Sequence, residues 1–344
     1  MIHTDVLVIG QGLAGSLLAY ELEKAGVNVT IIDNGSRQTS SRVAGGLYNP
    51  ITGRNMVKTW LADEVFPSLD GYYATLQEIL GRTFHHPLPI YRPFFNMEEQ
   101  NDWIGKAASD TYKAFVNQVH VRSIGIDGLL DPFGGVEVKC SGYIDLPEML
   151  DGFESYFRNK GNYLRQEVAY PDHGSIDGFQ VAGIRAGKIV FCEGAGVANN
   201  PFWNYLKFKP VKGEVIDLNL VMAPNQILNR GVFLIPKNGY STVGSTYDHS
   251  DLTLEPTEKG INSIKEKLNK IISTEYQLVS SRAGIRPSTY DRKPFMGFHP
   301  DWPDVGIFNG LGPKGVSLAP FFARHMTEHM VSGNAIMNEV RVDR

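Results

Sequence analysis

The sequence is poor in cysteine and carries no strong excess of charge of either sign. Its 344 residues include two cysteines, which cannot build a disulfide framework and lack the spacing of a zinc site. Lysine and arginine number 33 against 37 aspartates and glutamates, so the formal net charge is −4. Composition therefore gives no overall electrostatic reason to bind a polyanion and argues against nucleic acid as a partner, although a local basic patch stays open.

Long apolar runs are missing as well. No segment approaches the roughly 18–20 apolar residues that a membrane-spanning helix needs. The amino terminus lacks the basic, apolar and cleavage regions of a signal peptide. We therefore expect a soluble, reduced, cytoplasmic protein. Hydrophobic residues make up 42% of the chain, which is typical of a folded globular protein, and the length favours about two domains.

The first 33 residues have the pattern of a βαβ unit. DVLVIG (Asp5–Gly10) is a short apolar run typical of a strand buried on both faces. LLAYELEKAG (Leu17–Gly26) has apolar residues at helical spacing, and its final glycine is placed to end a helix. VNVTIID (Val27–Asp33) predicts a second strand, parallel to the first.

The segment GQGLAG, residues 10–15, joins the first strand to the helix and fits the dinucleotide fingerprint G-x-G-x-x-G. Gly10 permits the tight turn, Gly12 lets the backbone approach a pyrophosphate, and Gly15 lets the helix pack on the strand. The helix N-terminus offers N–H groups and a partial positive charge to phosphates. Asp33 would accept hydrogen bonds from an adenosine ribose, which argues against NADP but does not separate NAD from FAD.

The nucleotide-type pattern recurs in the middle and at the end of the chain. KIVFCEGAG is a buried strand followed by a glycine-rich turn, and VGIFNGLG precedes a helix expected over Ser317–Ser332. Between them, PVKGEVIDL, FLIPKNGY and STVGSTY alternate as in an antiparallel sheet. We expect an α/β protein with a Rossmann-like domain, interrupted by an α+β substrate-binding domain. The first would comprise residues 1–84, 142–207 and 283–344, and the second residues 85–141 and 208–282.

Several segments resemble motifs of the D-amino-acid-oxidase-type family of FAD-dependent oxidoreductases. In the family's order along nearly the whole chain they are TSSRVAGGLYNP (Thr39–Pro50), SGYIDLPEML, QEVAY around Val168, CEGAG (Cys192–Gly196), PVKGEVIDL, AGIRPSTYDRKPFMG (Ala283–Gly297) and GLGPKGVSLAP (Gly310–Pro320). Together they are far more specific than the fingerprint alone. The resemblance implies non-covalently bound FAD, and QEVAY is similar to a short family strand whose backbone contacts adenine.

The same resemblance implies which residues contact FAD. They come from the fingerprint, the end of the second strand and the later motifs: Gly10, Gly12, Leu13, Ala14, Gly15, Asp33, Asn34, Thr39, Ser40, Ala44, Gly45, Gly46, Val168, Gly194, Leu311, Gly312, Pro313, Lys314, Gly315 and Val316. The helix after GLGPKG would direct its N-terminus at the pyrimidine edge of the flavin, where reduction places negative charge. Lys314 would add a full charge there, or else be a solvated loop lysine.

Three side chains, Arg286, Tyr247 and Lys314, are candidates for catalysis, and Phe233 is a candidate for the lining of the substrate cavity. In the family, the arginine that matches Arg286 pairs with the substrate carboxylate, for which its planar fork is suited. The alternative is a salt bridge within the fold, for instance with Asp291. Tyr247 and Phe233 fall where related oxidases present side chains to the substrate cavity, and core packing is an equally good reading of both. Lys314 is the third candidate, through its charge beside the flavin.

The resemblance predicts an enzyme that oxidises the C–N bond of an amino acid or carboxylate-bearing amine by hydride transfer to flavin N5. Oxygen or a quinone-like acceptor would then reoxidise the flavin. Two alternatives stay open: oxidation of a carboxymethylaminomethyl side chain on a tRNA wobble uridine, and a flavin-binding protein without turnover. The first is suggested because GLYNP and GLGPKGV resemble the FAD domain of a tRNA-modifying family member. No ligand spacing predicts a metal site, and the sequence leaves the oligomeric state open.

Overall fold

A computed structural model describes residues 2–53, 55–170, 179–222 and 224–344, with the backbone alone at 179 and 180. Seven α-helices lie within these ranges. They are α1 (Leu13–Lys24), α2 (Ser40–Val43), α3 (Ala62–Leu80), α4 (Met97–Ala107), α5 (Leu146–Asn159), α6 (Glu258–Leu268) and α7 (Gly315–Ser332). Short 3-10 helices cover Gly194–Asn199, Gly312–Lys314 and Asn338–Val340. In this part of the chain no helix is both long enough and apolar enough to cross a membrane.

Twenty β-strands lie in the same ranges. They are β1 (Ile2–Ile9), β2 (Val29–Asp33), β3 (Leu47–Tyr48), β4 (Ile51–Thr52), β5 (Val57–Lys58), β6 (His85–Pro87), β7 (Ile90–Pro93), β8 (Val116–His120), β9 (Gly135–Val138), β10 (Gly142–Ile144), β11 (Tyr163–Arg165), β12 (Phe179–Val181), β13 (Ile184–Phe191), β14 (Val211–Leu220), β15 (Ile227–Asn229), β16 (Phe233–Lys237), β17 (Tyr240–Gly244), β18 (Tyr276–Arg286), β19 (Phe295–Phe298) and β20 (Val305–Asn309).

The first sheet is built around β1 and has the strand order β11-β2-β1-β13-β20-β19, with β12 also paired to β13. The strands from β11 to β20 in this order run parallel, and β19 is antiparallel to β20. Alternate residues of β1 belong to different apolar clusters, Val8 with residues of α1 and α7 and Leu7 with Trp203. Both faces of the sheet are thus covered, which explains the nearly continuous apolar sequence of β1.

The predicted βαβ unit is present, with shifted boundaries. The helix expected over Leu17–Gly26 begins at Leu13, because the second half of the glycine fingerprint forms its first turn. The helix expected from Ser317 likewise begins two residues earlier, at Gly315. In both cases the glycine-rich segment is part of the helix N-terminus, so its N–H groups form the helix's positive end.

The second large sheet has eight strands in the order β18-β14-β17-β16-β15-β7-β9-β8. Its neighbours are antiparallel except β15 and β7. The prediction of an antiparallel sheet between the nucleotide-type segments is therefore confirmed. A small sheet, β3-β10-β6, joins strands from both sides of residue 85, and β18 continues past residue 282. The division of the chain into two domains stays a proposal. Its boundaries at residues 85 and 283 fall within β6 and β18, which both pair with other strands.

One face of the eight-stranded sheet lies against the segment that follows β2. Strand pairing places Phe233 of β16 on the same face as Gly284 and Arg286 of β18. A Cβ atom on Gly284 would lie 3.1 Å from Val43 Cβ in α2, and one on Gly45 would lie 2.8 Å from the Phe233 ring. This face of the eight-stranded sheet therefore packs against α2 and the residues that follow it, with Arg286 at one end of the contact.

Gly46 allows a test of how closely the segment after α2 packs against β10. Its φ is +76° and an added Cβ would lie 1.9 Å from the Ile144 carbonyl oxygen. Gly161 has a φ of +75° and no heavy atom within 4 Å of an added Cβ. We expect Gly161→Ala to lower the free energy of unfolding by about 1–2 kcal/mol, the cost of left-handed backbone. Gly46→Ala should cost roughly 3 kcal/mol or more, because the backbone must also move.

Urea unfolding of the two variants beside the unsubstituted protein measures both values. Gly161→Ala is the matched control, since the two glycines share the same backbone conformation and differ in their surroundings. Equal losses of stability would contradict the close contact between Gly46 and β10.

Candidate functional site

The glycine fingerprint brings the ends of β1, α1 and β13 into direct contact. Gly10 has a φ of +100°, and a Cβ there would lie 2.7 Å from the Cys192 carbonyl oxygen. A Cβ on Gly15 would lie 1.9 Å from the Gly10 carbonyl oxygen and 3.2 Å from Cys192 Cβ. Only glycine fits at either position without displacing backbone. The CEGAG motif is thus beside the fingerprint, at the carboxyl ends of neighbouring parallel strands.

The first turn of α1 faces the TSSR segment. The backbone N–H of Leu13 donates to Ser41 Oγ at 3.1 Å. Gly12 precedes the helix, and a Cβ there would approach that same hydroxyl at 3.3 Å. The remaining N–H groups of a first helical turn have no partner within the helix. They form the anion-binding end that the sequence predicts for this turn.

Asp33 closes the adjacent edge of the site at the end of β2. Its Oδ2 accepts the Gln11 N–H at 2.7 Å and its Oδ1 accepts the Gly35 N–H at 2.6 Å. A carboxylate has about four lone-pair sites, so each oxygen can still accept another hydrogen bond. The acidic side chain is thereby fixed next to the fingerprint, with capacity left for a ribose hydroxyl. The neighbouring Asn34 is exposed, and its Oδ1 accepts the Ser36 N–H at 3.0 Å.

The loop 310–315 contacts both the fingerprint helix and the CEGAG motif. A Cβ on Gly315 would lie 3.1 Å from Leu13 Cδ2. Asn309, at the end of β20, donates from Nδ2 to the Gly194 carbonyl oxygen at 2.9 Å. Leu311 and Val316, on either side of the loop's centre, are buried, and Pro313 is exposed. The carboxyl-terminal loop therefore lies where the amino-terminal and central motifs already meet.

Lys314 is part of this loop and precedes the first residue of α7. Its side chain is half-buried, and burial together with the nearby charge of Arg292 lowers the pKa of the ammonium group. Across the described ranges it forms no ion pair. A Cβ on Gly312 would lie 3.2 Å from Ser288 Oγ, so the loop also contacts the segment that follows β18. Positive charge from Lys314 thus adds to that of the α7 N-terminus.

The predicted contact residues after β2 surround α2. Thr39 caps this helix by accepting the Arg42 N–H at 3.4 Å, Ser40 begins it and Ala44 ends it. Gly45 and Gly46 follow directly, Gly45 against Phe233 of β16 and Gly46 against Ile144 of β10. All five predicted positions therefore lie on one short segment, which contacts α1 through Ser41.

The expectation of a strand around Val168 is wrong. β11 ends at Arg165, which pairs with Asp33, the last residue of β2. One further backbone bond joins the Gln166 N–H to the Asp33 carbonyl oxygen at 2.9 Å. Beyond it β2 has no residue left to pair with, so Val168 lies outside any strand, half-buried beside the parallel sheet.

Arg286, the last residue of β18, is held by neutral groups. Its Nη2 donates to Ser245 Oγ at 2.7 Å, and its Nη1 donates to the carbonyl oxygens of Thr246 at 3.2 Å and Lys212 at 3.5 Å. A Cβ on Gly213 would lie 2.1 Å from Nη2, so this glycine provides the space for the guanidinium group. Burial lowers the pKa of Arg286.

The alternative of a salt bridge between Arg286 and Asp291 does not hold. Asp291 pairs with Arg344 at 2.9 Å, and within the described residues Arg286 has no carboxylate partner. The guanidinium group has five N–H donors, of which the three bonds above use two on Nη1 and one on Nη2. Two donors remain, one on Nε and one on Nη2, which is the number that a bidentate carboxylate needs.

Tyr247 and Phe233 take different places around Arg286. The guanidinium carbon of Arg286 lies 4.6 Å from the centre of the Tyr247 ring, and that side chain is 65% exposed. Phe233 lies between Gly45 and Gly244, whose added Cβ atoms would lie 2.8 and 2.9 Å from its ring. Tyr247 therefore covers Arg286 from the solvent side, and Phe233 packs between Gly45 and Gly244.

Two buried charges on β14 hold the loop that binds Arg286. Lys212 is 1% exposed, and its Nζ donates to Asp251 Oδ2 at 2.5 Å. Glu214 Oε2 accepts the Thr246 hydroxyl at 2.9 Å, and its Oε1 accepts the Thr257 N–H at 2.6 Å. A buried ion pair and a buried, hydrogen-bonded carboxylate are both costly to break, so they fix the backbone that carries the Thr246 carbonyl oxygen.

Sequence reasoning missed several of these residues. Ser41 and Ser245 lie inside recognised segments, but a serine carries no signal of its bonding partner. The alternating charges of Lys212 and Glu214 within the apolar strand β14 are a visible signal, because buried charges must be paired. Glu193 was also missed: it accepts the Tyr170 hydroxyl at 2.9 Å and Asn200 Nδ2 at 2.7 Å, and burial raises its pKa.

The residues that meet here fit an adenine dinucleotide that carries a flavin. Gly10, Gly12 and Gly15 leave a cradle that a Cβ would fill, and the α1 N-terminus suits the pyrophosphate. Asp33 suits the ribose, and the positive α7 N-terminus suits the flavin edge that gains negative charge. By contrast, no group of three or more His, Cys, Asp or Glu side chains in the described ranges could hold a metal ion.

Replacement of Asp33 tests this assignment without relying on turnover. We expect Asp33→Ala to raise the dissociation constant for FAD by on the order of tenfold, because a charge-assisted hydrogen bond is lost. The control is Asp5→Ala in the middle of β1, where Oδ2 accepts the Asn28 N–H at 2.9 Å. Quenching of FAD fluorescence on titration with apoprotein measures both values. A larger loss for Asp5→Ala than for Asp33→Ala would contradict the assignment.

Known proteins resemble the chain over its whole length. It is 25% identical to glycine oxidase of Pseudomonas aeruginosa, over 97% of this chain and 96% of that protein. It is also 25% identical to the tRNA 5-methylaminomethyl-2-thiouridine biosynthesis bifunctional protein MnmC of Marinobacter nauticus, over 98% of this chain and 57% of that protein. The chain thus matches the whole of the first relative and little more than half of the second.

Solved structures share the fold. Glycine oxidase from Geobacillus kaustophilus matches with a TM-score of 0.79 and 19% identity, over 98% of this chain and 96% of that chain. L-Proline dehydrogenase from P. horikoshii matches with a TM-score of 0.76 and 18% identity, over 98% and 96%. The family model for FAD-dependent oxidoreductases (DAO) matches residues 5–329. Together with the converging glycine motifs, this match shows that the chain belongs to the DAO family of FAD-dependent oxidoreductases.

Proposed function

We propose that this FAD-dependent oxidoreductase oxidises the C–N bond of an amino acid or another carboxylate-bearing amine. The observation that supports this proposal most directly is the hydrogen bonding of Arg286. Its partners are neutral, and two of its N–H donors remain available to a ligand. A partly buried cation without a counter-ion is stabilised by an anionic ligand, and a carboxylate matches the two free donors. The relatives named glycine oxidase support a small amine with a carboxylate as the substrate class.

Each side chain has a limited part in this proposal. Arg286 binds the carboxylate and thereby orients the rest of the substrate, while Tyr247 shields the ion pair from solvent. Lys314 and the α7 N-terminus place positive charge at the loop assigned to the flavin. When bound, FAD supplies the redox chemistry by accepting the hydride from the carbon that bears the amine. We propose oxygen or a quinone-like compound as the final electron acceptor.

Replacing Arg286 tests the proposal directly. We expect Arg286→Met to keep FAD bound and to lose at least about 100-fold in the apparent affinity for a carboxylate-bearing amine, because a bidentate charged contact disappears. The control is Arg341→Met, which removes an exposed arginine paired with Asp343. Anaerobic bleaching of the flavin against amino acids and N-methyl amino acids measures the effect.

Two results would count against the proposal. Unchanged bleaching of Arg286→Met would show that the carboxylate binds elsewhere. A flavin that no amine of the panel reduces, in a protein that holds FAD normally, would favour a flavin-binding protein without turnover.

A second candidate function is oxidation of a tRNA wobble-uridine side chain. The exposed Lys209 has its Nζ 5.6 Å from the centre of the exposed Tyr290 ring, and the exposed Lys207 and Arg292 are each two residues away from one of them along the chain. The Lys209 N–H donates to the Ser288 carbonyl oxygen, two residues beyond Arg286. Basic and aromatic side chains together suit an unpaired RNA loop. The relatives named MnmC are a further support for this candidate.

Salt dependence separates the two candidates. If tRNA is the substrate, its affinity should fall steeply between 50 and 200 mM salt, by about tenfold or more, since phosphate contacts release counterions. Reversal of charge at Lys207 and Lys209 to glutamate should weaken tRNA binding and leave reduction by small amines unchanged. Filter binding at both salt concentrations is the measurement. Absent or salt-independent tRNA binding would remove this candidate.

A further inference from the structure

Within the described structure, Ser245 is the one side chain that forms a hydrogen bond with the guanidinium group of Arg286. It directly follows β17 and is half-buried, and its Oγ lies 2.7 Å from Arg286 Nη2. The other two partners of Arg286 are the backbone carbonyl oxygens of Thr246 and Lys212. A carbonyl oxygen can only accept, so neither of these partners has a hydrogen to offer a ligand.

The hydrogen-bonding capacity of Ser245 is only half used. A guanidinium group donates and never accepts, so the serine oxygen must be the acceptor of the Nη2–H bond. The hydroxyl hydrogen therefore points elsewhere, and among the described residues it meets no acceptor. Unused donors beside a cation are costly when partly buried, and they mark a place where an oxygen-bearing ligand fits.

Three unused donors therefore belong to two side chains that are hydrogen-bonded to each other. Two are the free N–H groups on Nε and Nη2 of Arg286, and the third is the hydroxyl of Ser245. A carboxylate offers about four lone-pair sites and can accept all three bonds. Phe233, on the same sheet face as Arg286, has no polar atom to contribute a fourth. Tyr247 presents its ring face to the guanidinium group.

We propose that Ser245 is a substrate-positioning residue, which orients Arg286 and donates its hydroxyl hydrogen to the carboxylate of the substrate. The inference rests on the proposed function, since it needs a carboxylate bound at Arg286. It adds a specific role for a serine to which the sequence motifs assign none. The role is one of binding, so loss of the hydroxyl should raise KM and leave kcat nearly unchanged.

The test uses the FAD-loaded protein and non-reacting carboxylates. Acetate, glycolate and benzoate are titrated in turn, and the change in flavin absorbance near the ~450 nm band expected of bound oxidised flavin gives each dissociation constant. We expect Ser245→Ala to weaken carboxylate binding by about tenfold, because one hydrogen bond to a charged group is lost. Ser245→Thr retains the hydroxyl and should bind within about threefold of the unsubstituted protein.

Ser250→Ala is the matched control. Ser250 lies five residues along the same loop, and its hydroxyl donates to Asp248 Oδ1 at 2.7 Å, away from Arg286. This variant should bind the carboxylates like the unsubstituted protein. The absorbance spectrum of bound FAD and the urea midpoint of each variant report whether it is folded. Ser245→Cys, which keeps the size of the side chain and has a weaker donor, gives the same direction of effect if Ser245→Ala does not fold.

The outcomes separate this inference from the function on which it rests. If no carboxylate perturbs the flavin of the unsubstituted protein, both the proposed function and the role of Ser245 are overturned. If carboxylates bind and Ser245→Ala binds them equally well, the role of Ser245 alone is overturned. Weaker binding in Ser245→Ala, with recovery in Ser245→Thr and no change in Ser250→Ala, supports it.

Discussion

The proposed chemistry of this protein depends on a guanidinium group that is partly buried and has no carboxylate beside it among the described residues. Arg286 is surrounded by two carbonyl oxygens, a hydroxyl and an aromatic ring, all of them neutral. The surrounding backbone is fixed by one buried ion pair, between Lys212 and Asp251, and by the hydrogen-bonded carboxylate of Glu214. Lys212 and Glu214 thus support the site although their side chains do not bind Arg286. Their side-chain hydrogen bonds hold in place the backbone whose carbonyl oxygens accept from Arg286, and these neutral partners leave its charge available to an anion.

A second constraint brings the cofactor residues together. The segments that would surround FAD are the ends of β1, β13 and β20 and the loop after β18, which are far apart in sequence. They approach one another through glycines, and at Gly10 and Gly15 an added Cβ would overlap a neighbouring carbonyl oxygen. The same contacts put Arg286 near the flavin loop, because Gly312 of that loop lies against Ser288, two residues after Arg286. The residues assigned to FAD and the residue assigned to the substrate carboxylate therefore lie close together.

Sequence reasoning succeeded where a pattern of neighbouring residues is compatible with few structures. The fingerprint in its strand and helix context identified the parallel sheet, and the alternating runs identified the antiparallel one. It failed at QEVAY, because strand formation there depends on whether β2 extends far enough to pair, which no local pattern states. It also left open whether Arg286 pairs with Asp291, because a salt bridge depends on which arginine is closer, and Arg344 is the partner.

The sequence by itself determined the fold class, since glycine spacing and strand periodicity are properties of neighbouring residues, and the resemblance of its motifs to a family implied FAD as the cofactor. Only the tertiary structure decided which groups surround Arg286, how many of its donors are free and that Ser245 has a hydrogen to give. These are properties of residues brought together from β14, β17 and β18. Hydrogen bonds have direction and short range, so a count of free donors exists only once the chain is folded.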